Sequence, residues 1–188
     1  MLDFYAFFIH FEIYCILSLL HTLHIVIFAI LLCFPFVRSR DEILTMYLQY
    51  AEQANNWDLV DLSVHKILGH WLLLPSNLGD RDFKIKVLDN LAQSSCLWKQ
   101  RMSIVCSWKT SQLDDPSWCL RYAEIHLHHP HDLMHKAVGW MLREMGKRVG
   151  MDLLRDFLRQ HAHEMPRTAL RYAIEKMPES ERQYWMQA

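Results

Sequence analysis

The chain reads Asn-Trp-Asp-Leu-Val-Asp from residue 56 to residue 61, and this stretch opens the pattern that decides the fold. Trp57 is followed by Trp98 after 41 residues and by Trp140 after 42 more. A recurrence of about forty residues is typical of stacked helix pairs of the HEAT or armadillo type, whose equivalent helices present side chains to one shared surface. The spacing therefore predicts an all-α chain that forms a HEAT- or armadillo-like helical-repeat superhelix.

From Asp41 onward the hydrophobic pattern is helical, because apolar residues recur at three- and four-residue intervals without any alternating run of strand length. The predicted helices, separated by turn residues, span residues 41–54, 56–73, 81–93, 97–111, 116–128, 132–148, 151–162 and 167–176, with a short one after residue 178. The expected helix pairs are 81–93 with 97–111, 116–128 with 132–148, and 151–162 with 167–176. Asp115 and Asp132 are predicted helix caps, and Pro116 and Pro166 are predicted first-turn residues.

The composition of the 188 residues indicates one folded domain of sizeable core, with only five glycines and six prolines. Five cysteines without any Cys-x-x-Cys spacing predict neither a disulfide framework nor a zinc ribbon, and they favour a reducing, cytoplasmic location. The net charge of −1 is unevenly distributed. Residues 41–95 carry four basic and eight acidic side chains, whereas residues 97–148 carry eight and five, so positive charge accumulates around the later tryptophans.

The N-terminal segment differs from the remainder. Residues 13–37 contain no Asp, Glu, Lys or Arg and are numerous enough to cross a bilayer, with Arg38 and Arg40 following directly. Three interpretations stay open: a membrane anchor that leaves the helical part in the cytoplasm, a buried helix pair packed on the repeats, or a remnant in which a wrong start or shifted frame replaced the normal N terminus. We divide the chain into an apolar segment, residues 1–37, and a helical-repeat domain, residues 41–188.

Trp57 and Asp61 are the first candidates for chemistry, because a four-residue spacing on a helix stacks an indole beside a carboxylate. That combination suits a cationic sugar. Asp61 stands among apolar neighbours and requires a partner, for which Arg101 on a later equivalent helix is the candidate. A structural salt bridge and a catalytic carboxylate are equally compatible with this pairing.

A second candidate is a stripe on the predicted helix 132–148. Lys136, Trp140, Arg143 and Lys147 follow one another at intervals of four, three and four residues, which places them on one side of the helix. Such a stripe can hold phosphate groups while the indole packs on the sugar between them. The alternative is a solvated amphipathic face on which the tryptophan anchors a neighbouring helix.

Five histidines crowd the region before this helix, at positions 126, 128, 129, 131 and 135. They have no Cys or Glu partner at zinc spacing and they surround a proline, which favours a turn over a metal site. The sequence also lacks a Gly-rich phosphate loop, a Gly-x-Ser-x-Gly elbow and a His-Glu-x-x-His motif. We therefore expect neither a metal nor a cofactor.

The segments Asn-Trp-Asp-Leu-Val-Asp, Leu-Trp-Lys-Gln-Arg-Met-Ser-Ile-Val (97–105) and His-Lys-Ala-Val-Gly-Trp-Met-Leu-Arg-Glu (135–144) together resemble the DNA alkylation repair enzymes of the AlkD type, over about residues 41–177. The resemblance implies a monomeric HEAT-like glycosylase that removes N3- and N7-alkylated purines from duplex DNA in base excision repair. By this likeness Trp57 and Trp140 would pack on the lesion's deoxyribose, Asp61 would be the catalytic carboxylate, and Arg101 would contact the backbone. The cations expected to bind DNA are Lys99, Lys136, Arg143 and Lys147.

The chemistry of the expected substrate agrees with these residues. An N3- or N7-alkylated purine carries a positive charge that already weakens its glycosidic bond, so a carboxylate and electron-rich rings suffice to stabilise an oxocarbenium-like sugar. Family members have several helices ahead of the Trp-x-x-x-Asp element, whereas only 56 residues precede Trp57 here. The alternative function is accordingly a non-catalytic HEAT-like scaffold, or an inactive truncated remnant, with a membrane as partner only if residues 13–37 are a genuine span.

Overall fold

The computed structural model describes residues 40–74 and 80–187, and every regular element within these ranges is helical. The α-helices are α1 (Arg40–Gln49), α2 (Trp57–Leu73), α3 (Arg81–Ala92), α4 (Leu97–Val105), α5 (Ser107–Ser111), α6 (Ser117–Ile125), α7 (Asp132–Arg148), α8 (Met151–His161), α9 (Arg167–Ala173) and α10 (Glu179–Met186). A short 3₁₀ helix at Ala51–Gln53 follows α1. The all-α prediction is confirmed, and the arrangement is consistent with a helical-repeat fold.

The helices lie in two sets. One set runs side by side, with α2 packed on α4 and α5, these two packed on α7, and α7 packed on α9. In the other set, α1 packs against α2, α3 against α4, and both α6 and α8 against α7. The helices that carry the candidate site residues therefore neighbour one another, although they are far apart in sequence.

Helix α7 shows how the sequence builds the core. Its buried apolar side chains recur at three- and four-residue intervals, which puts them on one face: Met134, Ala137, Val138, Met141, Leu142 and Met145. Each of these six side chains is at most 1% exposed, so α7 is enclosed by helices of both sets. Shortening any of the long ones would leave a cavity in the centre of the domain.

Gly139 determines how closely α7 approaches α9. A Cβ atom at this position would lie 2.3 Å from the backbone oxygen of Ala169 and 2.5 Å from the Cβ of Tyr172, closer than atoms can pack. Only glycine permits this approach. Because Trp140 is the next residue, the contact also fixes the position of its backbone.

The structure corrects several local predictions. The predicted helix 41–54 ends at Gln49 before the 3₁₀ helix, and the predicted helix 97–111 is divided at Cys106, where the backbone nevertheless stays right-handed helical. Asp132 does not cap α7, because the side chain of His131 accepts the hydrogen bond from the amide of Leu133. Asp115 does accept from the amide of Ser117 at 3.0 Å.

Two further expectations are wrong in detail. Pro116 and Pro166 both stand immediately before their helices, so neither occupies the first turn itself. The predicted pairing of 151–162 with 167–176 is not the main contact of either helix, because α8 and α9 both pack chiefly against α7. The long helix α7 offers each of them a larger apolar surface than they offer one another.

Among the described residues, no helix combines the length and the apolar character that a bilayer crossing demands. The segment 13–37, for which the sequence left three interpretations open, lies outside the described residues.

Candidate functional site

Asp61 of α2 and Arg101 of α4 form a two-point ion pair. Arg101 donates from Nε to Oδ1 of Asp61 at 2.9 Å and from Nη2 to Oδ2 at 2.8 Å. The side chain of Arg101 is only 6% exposed and that of Asp61 13%, so the pair is largely withdrawn from water. Parallel hydrogen bonds between a guanidinium and a carboxylate fix both groups in one plane. The structure thus brings together the two residues that the sequence predicted as partners.

A backbone oxygen completes the environment of Arg101. Its Nη1 donates to the carbonyl oxygen of Leu133, in the first turn of α7, at 2.5 Å. One guanidinium thereby joins α2, α4 and α7. We call Asp61, Arg101 and the Leu133 carbonyl the acid–arginine cluster. The Leu133 contact was missed in the sequence because a carbonyl oxygen belongs to every residue and leaves no signature.

Tyr47 of α1 supports α2 near this cluster. Its hydroxyl lies 2.8 Å from Oγ of Ser63, which itself donates to the backbone oxygen of Leu59. Burial raises the pKa of Tyr47 far above its ordinary value, and the negative charge of Asp61 raises it further. The phenol is therefore a neutral hydrogen-bonding group at any physiological pH. Its only sequence signal was a tyrosine on the apolar face of the first helix.

Trp57 begins α2, one turn ahead of Asp61. It is 49% exposed, which is unusual for an indole because burying such a large ring is favourable. The ring thus offers a flat, electron-rich surface to solvent beside the acid–arginine cluster. A nucleic-acid base or sugar, or a cation, can pack against such a surface.

Lys136 and Trp140 extend the site along α7. Lys136 lies one turn beyond Leu133 and pairs with Asp132 at 2.8 Å, which raises the pKa of the lysine. The positive charge of Arg101 acts in the opposite direction on that pKa, so the two cations lie in the same region of the structure. Trp140, one turn further on the same side of α7, is half-buried.

The remaining cations of the predicted DNA-binding set differ in whether a carboxylate pairs with them. Arg143 pairs with Glu175 and with Glu144 and is 17% exposed, while its Nε is buried without a hydrogen-bond partner in the described part of the chain. Lys99 pairs with Glu52 at 2.6 Å. Lys147 is exposed and has no ion-pair partner in residues 40–74 or 80–187. The stripe is thus partly neutralised by carboxylates in the unbound protein.

The histidines of the turn between α6 and α7 form hydrogen bonds with α4 and with one another's backbone. His126 lies 2.8 Å from Oγ of Ser103, and His129 lies 2.9 Å from Oε1 of Gln100. His135 contacts the backbone oxygen of His129, and His131 caps α7. Burial lowers the pKa of His126 to about 4, so its ring is neutral at physiological pH. The interpretation of the cluster as a turn is confirmed.

No three His, Cys, Asp or Glu side chains lie close enough to hold a metal ion within the residues that the structure describes. The chemistry available there comes from the carboxylate, the guanidinium, the two indoles and the lysines. This set can bind and stabilise positive charge at Asp61 and negative charge along α7.

Comparison with protein families gives a match over most of the chain. The family model described as DNA alkylation repair enzyme matches residues 24–177, which includes all the candidate site residues. The matched range begins inside the apolar segment that the sequence analysis set apart. At a significant level, the chain matches neither a curated protein nor a solved structure.

Proposed function

The chain belongs to the DNA alkylation repair enzyme family, and on that premise we propose that it is a glycosylase that releases cationic N3- or N7-alkylated purines from duplex DNA. The observation that carries the proposal is the acid–arginine cluster with the exposed indole of Trp57 beside it. A carboxylate held in place next to an aromatic face is suited to a positively charged sugar.

The leaving group needs little help from the protein. The alkylated base is already cationic, so breaking the glycosidic bond moves the positive charge onto the deoxyribose and releases a neutral base. What the protein has to supply is negative charge beside that sugar and a position for the attacking water. In this proposal Asp61 supplies the charge, while Trp57 and Trp140 pack against the sugar.

Arg101 acts as the positioning residue for Asp61. Its two donated hydrogen bonds hold the carboxylate, and its third hydrogen bond anchors it to α7. A group that is already oriented loses little energy to reorganisation when the transition state forms. Arg101 is also positive, so if Asp61 loses its charge, an uncompensated cation remains beside the sugar.

Binding to duplex DNA rests on the cations of α7 and α4 in this proposal. Lys136 and Lys147 lie on the exposed side of α7, and the pairs formed by Arg143 and Lys99 with carboxylates can exchange for phosphate contacts. Such contacts add affinity that is independent of sequence and falls with salt. We infer that the protein acts as a monomer in the cytoplasm, without a metal or cofactor.

The test is Asp61→Asn, assayed by release of 7-methylguanine from methylated duplex DNA. The substitution keeps the shape of the side chain but removes its charge, so we expect release to fall by about a hundredfold or more, the usual scale for a preorganised electrostatic group. DNA binding should hold or improve, because a carboxylate near phosphates opposes binding. Asp58→Asn is the matched control, since Asp58 lies exposed in the first turn of the same helix.

A second function is favoured by one observation. In the unbound protein both oxygens of Asp61 are already bonded to Arg101, as in a purely structural salt bridge. The second candidate is therefore a scaffold that binds nucleic acid without cleaving a glycosidic bond. Equal release by the parent and by Asp61→Asn would refute the catalytic role. A parent that binds duplex DNA but releases no base would favour the scaffold.

A further inference from the structure

A second cluster of cationic and aromatic side chains lies further along the same helices. The guanidinium carbon of Arg148, at the end of α7, lies 5.0 Å from the ring centroid of Trp108 on α5. The imidazole of His65 on α2 meets the same indole edge-on, with 4.8 Å between ring centroids. We call His65, Trp108 and Arg148 the indole–arginine cluster. None of these residues belongs to the predicted site.

The geometry of the helices puts both clusters on one side of the domain. His65 lies one turn beyond Asp61 on α2, and Trp108 lies seven residues, about two turns, beyond Arg101 on the nearly continuous α4–α5 segment. At about 1.5 Å of rise per residue, Trp108 is roughly 10 Å further along than Arg101. Helix α7 contributes Leu133 to the first cluster and Arg148 to the second.

Gly69 makes the second cluster possible. A Cβ atom there would lie 2.6 Å from Cβ of Lys109 and 2.8 Å from the backbone oxygen of Cys106, so α2 and α5 approach as closely as a glycine permits. This close approach holds His65 against Trp108.

Arg148 is held in place but keeps open hydrogen-bond donors. One face of its guanidinium lies on the indole, and its Nε is 3.4 Å from Oε2 of Glu144, a buried carboxylate. The terminal nitrogens Nη1 and Nη2 have no partner among the residues that the structure describes. A guanidinium fixed by stacking, with its outer edge free, is the arrangement that binds a phosphate at two points.

Besides the carboxylate of Glu144, positive side chains lie near the indole–arginine cluster. His65 lies near Lys66 and Lys109, and after burial their positive charges are a further cause that lowers the pKa of its ring. Lys147, the neighbour of Arg148, is exposed. Nδ1 of His65 lies 2.8 Å from the backbone oxygen of Asp61. Lys66, Lys109 and Lys147 therefore add positive charge from α2, α5 and α7 to the region of the indole–arginine cluster.

We propose that the indole–arginine cluster binds a phosphodiester of the DNA strand, at a distance from the sugar that Asp61 contacts. The proposal rests on the proposed function, because it takes duplex DNA as the ligand. A phosphate fits better than a base at this point, since the indole face is already covered by the guanidinium. Arg148 is the binding residue, and Trp108 and Glu144 position it.

The experiment measures binding of undamaged duplex DNA by fluorescence anisotropy across a series of salt concentrations. Arg148→Gln should weaken binding several-fold and lower the salt slope by about one unit, as expected for one lost phosphate contact. Arg148→Lys keeps the charge but loses the stacked fork, so its slope should stay near that of the parent while its affinity falls between the two. Arg159→Gln is the matched control, because Arg159 is exposed and pairs with Asp156 of its own helix.

Single methylphosphonate substitutions in the DNA then locate the contact. At one position of the strand, the uncharged methylphosphonate should weaken DNA binding by the parent. The same substitution should cause no further loss of binding in Arg148→Gln. If Arg148→Gln leaves affinity and slope unchanged while the parent binds DNA, the phosphate site is refuted and the glycosylase proposal stands. A parent that fails to bind duplex DNA overturns both proposals together.

Discussion

The acid–arginine cluster and the indole–arginine cluster are built from the same three stretches of helix, yet burial makes them different. Arg101 is buried, and each of its three nitrogens donates to Asp61 or to the Leu133 carbonyl, whereas Arg148 lies at the surface with its outer edge open. A buried guanidinium must satisfy its donors within the protein, because leaving them unpaired is costly. An exposed one can leave donors to water and later exchange the water for a ligand. The comparison teaches that the first arginine positions a neighbour and the second is free to bind.

Removing the guanidinium should have the largest effect on stability at the buried cluster. Arg101→Gln leaves the carboxylate of Asp61 and the oxygen of Leu133 without their partner, so we expect the free energy of unfolding to fall by about 3–5 kcal/mol. Arg148→Gln should cost less than about 1 kcal/mol, because Arg148 lies at the surface and Glu144 keeps its contact with Arg143. Urea unfolding of the two variants measures the contrast, and equal losses would contradict the distinction between them.

A buried histidine next to the acid–arginine cluster should also make the stability of the folded protein sensitive to acid. His126 bonds to Ser103, two residues after Arg101, and its pKa of about 4 in the folded protein compares with about 6.5 in an unfolded chain. Protons therefore bind the unfolded chain first. Stability is unaffected above pH 6.5 and declines as the pH falls from 6.5 to 4, by on the order of 3 kcal/mol in total.

The measurement is the free energy of unfolding as a function of pH for the parent and for His126→Gln, which can still bond to Ser103 but cannot titrate. We expect the free energy of unfolding of the variant to fall less steeply between pH 6.5 and 4. All the other titratable groups contribute equally to both proteins. Superimposable curves would show that His126 does not carry this part of the acid sensitivity.

A smaller effect should follow from separating α2 and α5 at the second cluster. Gly69→Ala forces a methyl group into contact with Lys109 and the backbone of Cys106, and such overpacking costs about 1–3 kcal/mol. Gly150→Ala is the control, because a Cβ atom there meets nothing within 4 Å. If the indole–arginine cluster binds a phosphate, Gly69→Ala also weakens DNA binding more than Gly150→Ala does, since His65 and Trp108 move apart. Equal DNA binding by the two variants would show that Gly69 does not contribute to the phosphate site.

The repeat spacing could have led to both clusters. Asp61 and Arg101 are 40 residues apart, close to the recurrence of the tryptophans, and this spacing predicts that they meet on equivalent helices. His65 and Trp108 are 43 residues apart, and Trp108 and Arg148 are 40 apart, so the same rule applied to other residues points to the second cluster. The sequence alone does not predict this second cluster, because an isolated histidine or tryptophan on a helix is usually explained by packing alone.

The helices themselves were predictable because each depends on its own segment of sequence. The predicted helices 56–73 and 132–148 agree with α2 and α7 to within one residue at each end. Local apolar spacing and turn residues determine such boundaries. The break at Cys106 and the cap by His131 were not predictable in this way, since several arrangements of the same residues satisfy the local backbone equally well.

By itself, the sequence determined the all-α class, the positions of most helices, and the partnership of Asp61 with Arg101, because these follow from periodicities written into the order of residues. The tertiary structure alone decided which donors remain free. Arg143 and Arg148 lie on the same helix and both contact Glu144, yet Arg143 also pairs with Glu175, whereas Arg148 rests on Trp108 with its outer edge exposed. That difference arises from which helices pack against α7, and packing depends on the shapes of distant surfaces that no local pattern contains.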